Sequence, residues 1–165
     1  MTAADPTPPP ERRHYQVTFA VLAVGVTAYA IMQSLVTPVL PTLEKELHTS
    51  QNTVTWVLTA NLLSASIFTP IFGRIGDKVG KKKMFVWALL SLVLGSLIGA
   101  LASNIGVMIV ARVIQGVGGG VLPLAFGIIR DEFPKEKVSG AVGIVAAMIA
   151  VADALAIELA GPIIN

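Results

Sequence analysis

Five long runs, at residues 17–40, 53–72, 84–102, 105–129 and 138–164, are free or nearly free of charge, and short stretches between them hold most of the ionic side chains. About 20 residues rising about 1.5 Å each cover the roughly 30 Å hydrocarbon core of a bilayer, so each run is long enough to cross it as a helix. Backbone polar groups in lipid must be satisfied within the protein, which favours helices over open strands. The pattern therefore predicts an all-α, polytopic membrane helix bundle with five transmembrane helices. Pro38, Pro70, Pro123 and Pro162 fall near run ends or among glycines, and predict bent helices. Residues 1–16 contain Pro6, Pro8, Pro9 and Pro10 and read as a disordered, solvated tail. The run that follows is too long for the core of a cleaved signal.

Composition agrees with a bilayer: 54% of residues are hydrophobic, 13% are charged, and the mean hydropathy is +0.75. The absence of cysteine excludes disulfides, thiol chemistry and Cys-based metal sites. A net charge of +2 is explained by topology without nucleic acid. Ten of the twelve Lys and Arg residues lie in the tail, in the connection between the second and third runs, and in that between the fourth and fifth. Of the other two, Lys45 lies in the opposite set of loops and Arg112 within a run. By the positive-inside rule the N-terminus is cytoplasmic and the C-terminus is outside, in a cell inner (plasma) membrane. With no G-x-S-x-G, H-E-x-x-H or P-loop, the sequence offers no enzyme chemistry and calls for no cofactor or metal.

Arg112 is the costliest residue to place, because a guanidinium keeps its proton and needs a partner or a wet cavity inside the hydrocarbon region. Arg112, Gln115, Gly116 and Gly119 stand at i, i+3, i+4 and i+7, so they share one helix face, which should point into the bundle. Gly95 with Gly99, and Gly116 with Gly120, form small-xxx-small pairs that let helices approach closely. A packing seam alone would explain these glycines but not Arg112 and Gln115. The last run carries two acids, Asp153 and Glu158, about 140° apart around a helix and so unable to form a dyad on one face. Helical rise puts Arg112 and Glu158 at similar depth, and a pair between them is expected, with the deeper Asp153 as the alternative. Gln33 and Asn61 are further cavity candidates, and the hydroxyls Ser34, Ser64 and Ser66 suit helix packing.

The connection at 73–83 reads Gly73-Arg74-Ile75-Gly76-Asp77-Lys78-Val79-Gly80-Lys81-Lys82-Lys83: three glycines, one carboxylate and five cations. A solvated topogenic loop needs only the cations; the glycines permit tight turns, and a lone Asp can hold such a loop by charge-assisted bonds. This stretch is similar to the signature G-x-x-x-D-[RK]-x-G-[RK]-[RK] between the second and third helices of the major facilitator superfamily. Asp77, Lys78, Gly80, Lys81 and Lys82 match it in register. Arg112, Gln115 and Gly116 resemble the family's fourth-helix R-x-x-Q-G, and Gly161-Pro162 its fifth-helix antiporter motif. The runs Trp56-Val57-Leu58-Thr59-Ala60 and Thr69-Pro70-Ile71-Phe72-Gly73 most resemble drug:proton antiporters of the fourteen-span branch.

The resemblance implies the N-terminal five-helix portion of a proton-coupled exporter of lipophilic drugs or small molecules. Asp77 and the cations after it would form a cytoplasmic gate, with Asp131 or Glu132 as the acidic partner, and Arg112 would belong to the proton-coupling or substrate region. An acid that many members of the branch carry in the first helix is absent, and Ala152, Ala154 and Ala156 stand where the antiporter motif is glycine-rich. Family members have at least twelve spans, so this portion is expected to be inactive alone, with a C-terminal portion, protons, lipophilic small molecules and the bilayer as its partners. The alternative readings are a non-transporting membrane scaffold and an engineered fragment of the same fold.

Overall fold

The computed structural model describes the backbone of residues 11–164 and the side-chain surroundings of residues 15–159. Its elements are α1 (Glu11–Ser34), α2 (Val36–Glu46), α3 (Gln51–Val54), α4 (Trp56–Val79), α5 (Lys81–Ala100), α6 (Ile105–Val117), a 3-10 turn (Gly118–Gly120), α7 (Val121–Glu132) and α8 (Lys135–Ile164). Five segments are long and apolar enough to cross a membrane: Tyr15–Ser34, Gln51–Val79, Lys81–Ala100, Ile105–Glu132 and Lys135–Leu159. They coincide with the five runs, and the described residues contain no strand.

Boundaries differ from the hydropathy pattern in three places. First, α1 begins at Glu11, so residues 11–16 are helical and do not belong to the tail. Tyr15 anchors this start, its ring 5.4 Å from that of Phe133 and its hydroxyl accepting a 2.9 Å bond from Lys137 Nζ. Second, the first run is two helices that part at Leu35. Pro38 has no N–H to offer the carbonyl of Ser34, so the ladder breaks one turn before the proline. Third, the fourth run is interrupted by the 3-10 turn Gly118–Gly120. Pro123 cannot donate to Gly119, and three consecutive glycines leave the backbone free to tighten there. The bending predicted from Pro38 and Pro123 is thus present as breaks, whereas Pro70 sits inside an unbroken α4.

α6 packs between α4 and α5, while α1 packs on α8 and α7. The larger core joins Leu22 and Val26 of α1, Phe85 and Leu92 of α5, Leu124 and Ile128 of α7 and Val145 of α8. A smaller one gathers Val36, Val54, Val57 and Met108 where α2, α3, α4 and α6 meet. Large apolar side chains also face outward, among them Trp87, Leu97, Ile157 and Leu101, the last 83% exposed. Water would make that surface costly; lipid supplies its apolar partner.

Candidate functional site

The turn between α4 and α5 is a single residue. Gly73 to Val79 continue α4, and only Gly80 leaves the helix, at φ +110°, a conformation that glycine adopts without strain. This corrects the expectation of an eleven-residue loop at 73–83. Across this turn Asp77, near the end of α4, faces Lys81 at the start of α5, its carboxylate 3.4 Å from Lys81 Nζ. Lys81 also reaches Asp131 at 2.7 Å, and Lys82 reaches Glu132 at 2.7 Å. Both acids expected as alternatives at the end of the fourth span are therefore engaged, each by its own lysine. Gly76 is buried, with the Leu124 side chain 3.0 Å from where a Cβ would stand, so α7 approaches α4 closely at this point. Gly73 has open space around it, and Lys78 is exposed. The result is a clamp between the start of α5 and the end of α7 on the cation-rich face.

Inside the bundle the glycines of the fourth span set helix spacing. A Cβ at Gly116 would lie 2.5 Å from the Asn61 carbonyl oxygen and 2.5 Å from Ser64 Cβ, and one at Gly119 would lie 2.6 Å from Ala65 Cβ. At Gly95 it would meet Gln115 Cγ at 2.5 Å, whereas at Gly99 the nearest atom is 3.6 Å away. The predicted face is thus divided: Gly116 and Gly119 seat α6 and its turn on α4, while Gln115 turns toward α5. The close approach is reinforced by Ser64 Oγ, which donates to the Val113 carbonyl at 2.7 Å.

Half-buried Arg112 donates from Nη1 to Gln115 Oε1 at 2.8 Å, and Gln115 Nε2 donates to Ser96 Oγ at 3.0 Å. Ser96 in turn donates to the Leu92 carbonyl at 2.6 Å. Among the described residues no carboxylate lies within 4.0 Å of Arg112, so the expected Arg112–Glu158 pair does not form. The bundle keeps them apart: α6 is flanked by α4 and α5, α8 packs on α1, and Glu158 is exposed. Asp153 is not the partner either; its carboxylate accepts a hydrogen bond from Ser34 Oγ, at the α1–α2 break. Gln33 and Asn61 are brought together, Asn61 Nδ2 donating to Gln33 Oε1 at 3.2 Å. Ser96 escaped the sequence reading. Its signal was a hydroxyl beside Gly95, the residue whose missing side chain admits α6. Gly161 and Pro162 lie outside the residues whose surroundings are described.

The model of the Major Facilitator Superfamily matches residues 22–164. The chain is similar to an MFS-type transporter of Aspergillus terreus, 38% identical over 70% of this chain and 21% of that protein. It is also similar to the efflux pump dotC of Dothistroma septosporum, 35% identical over 90% of this chain and 25% of the pump. A third relative is the tetracenomycin C resistance and export protein of Streptomyces glaucescens, 30% identical over 90% of this chain and 27% of that protein. The chain thus spans about a quarter of the length of these relatives. A multi-pass helical bundle with the family's charged turn and its fourth-helix Arg-Gln-Gly, matched along residues 22–164, belongs to the major facilitator superfamily.

Proposed function

We propose that the chain is the N-terminal part of a proton-coupled secondary transporter that exports lipophilic small molecules from the cytoplasm, its N-terminus and cationic loops lying on the cytoplasmic side. The observation that carries this reading is the clamp of Lys81 with Asp131 and Lys82 with Glu132, which ties the second-to-third turn to the fourth span. Such a clamp holds two helices together on one membrane face and can be opened by moving either, as a gate requires. Asp153 places a carboxylate inside a span, hydrogen-bonded to Ser34 and without a cation within 4.0 Å among the described residues. Export by relatives such as dotC and the tetracenomycin C protein supports the direction of transport.

Alternating access needs two halves that rock about a site near the midplane, so the proposal includes a C-terminal portion. The test is to place the chain in sealed vesicles, alone and with a complementary C-terminal portion, and follow a lipophilic dye and lumenal pH together. Proton-linked dye export is expected from the pair and not from the chain alone. In the pair, Lys81→Ala should leave the folded yield nearly unchanged, since exposed ion pairs contribute about 1 kcal/mol or less, while lowering export severalfold. Dye export by the isolated chain, or a pair that never responds to a pH gradient, would reject the proposal; the second result favours a scaffold.

A further inference from the structure

Arg112, Gln115 and Ser96 line a cavity of about 260 Å³ whose other walls include Met108 of α6 and Val39 and Leu43 of α2. One turn apart on α2, Val39 and Leu43 bring apolar surface against a site that holds a half-buried guanidinium. A guanidinium has five N–H donors. Among the described residues this one has a single protein acceptor, the neutral amide oxygen of Gln115, and no carboxylate within 4.0 Å. Gln115 is itself held by Ser96, so its oxygen stays turned to Arg112 and the cation is presented in one orientation. A charge in this setting is stabilised by an anion that brings its own acceptors, and a planar carboxylate matches the guanidinium fork.

From this geometry we infer that the cavity is a binding site for a small organic anion, a carboxylate attached to a compact apolar body. The carboxylate sits on Arg112 and the apolar part lies against Val39, Leu43 and Met108. The cavity admits a body of the size of one aromatic ring. Binding stands on this cavity alone, so it would persist in a chain that exports nothing.

Equilibrium binding of radiolabelled benzoate to the chain in phosphatidylcholine nanodiscs tests the assignment, with benzyl alcohol as the neutral competitor of similar shape. Saturable benzoate binding is expected, displaced by unlabelled benzoate and not by benzyl alcohol. Arg112→Gln should weaken it at least about tenfold, the loss that follows removal of a charge-assisted hydrogen bond, and Arg112→Lys should weaken it less. Equal displacement by benzyl alcohol, or unchanged affinity in a folded Arg112→Gln protein, would overturn the inference. Nanodiscs containing phosphatidylglycerol separate the two sources of anion: benzoate binding that survives there supports a small-molecule site. Binding abolished there would assign the cation to a lipid headgroup and overturn the inference as stated.

Discussion

Gly116→Ala is expected to reduce the folded protein sharply, and Gly116→Leu to abolish it. The added Cβ would lie 2.5 Å from the carbonyl oxygen of Asn61 and 2.5 Å from Ser64 Cβ, both rooted in α4. No rotamer change relieves a clash with backbone; α6 must move away from α4, breaking the Ser64 to Val113 bond and exposing Gly119 with it. Overpacking a tight core costs about 1–3 kcal/mol, and a backbone contact puts this site at the upper end of that range. Gly143→Ala is the control, since nothing lies within 4 Å of its new Cβ. There the better helix propensity of alanine should leave stability unchanged or raise it by up to about 1 kcal/mol. Folded yield by size exclusion and resistance to SDS unfolding give the comparison. Two variants that behave alike would contradict the packing described for α4 and α6.

The second large effect is non-additive. Gln115→Leu removes the acceptor of Arg112 and leaves a cation in the bundle without a protein partner, at an expected cost of about 2–3 kcal/mol. Arg112→Met in addition removes the charge that had become uncompensated, so the double variant should recover most of the lost stability. Residues in one hydrogen-bond network couple by about 0.5–3 kcal/mol, which such a cycle measures. Strict additivity of the two substitutions would mean that Gln115 does not support Arg112.

Much of this architecture could be read along the chain, and the failures have physical reasons. Five helices followed from five apolar runs, because the bilayer fixes both length and composition. The close contacts at Gly95 and Gly116 followed from small residues four apart, although Gly99, the second member of one such pair, has no tight contact. Charge density at 73–83 suggested a loop, yet helix persists to Val79, since glycines in a membrane helix are tolerated where a neighbour such as Leu124 packs on them. For Arg112 the partner was not legible. A partner depends on which helices are neighbours, and only packing put α5 and Ser96 beside it while sending α8 to α1. Likewise the Asp153 contact with Ser34 depends on the α1–α2 break, a consequence of Pro38 acting four residues upstream.

The proposed function puts the lysine clamp on the cytoplasmic face of a bundle that crosses the bilayer, and single introduced thiols test this most directly because the chain has no cysteine of its own. Lys83→Cys and Lys135→Cys mark one face and Asn52→Cys and Ser103→Cys the other, all at exposed positions. In sealed vesicles of known orientation, a membrane-impermeant maleimide should label positions 83 and 135 from the cytoplasmic side only, and positions 52 and 103 from the opposite side only. Labelling of positions 83 and 103 from the same side, or of all four from either side at equal rates, would contradict the account.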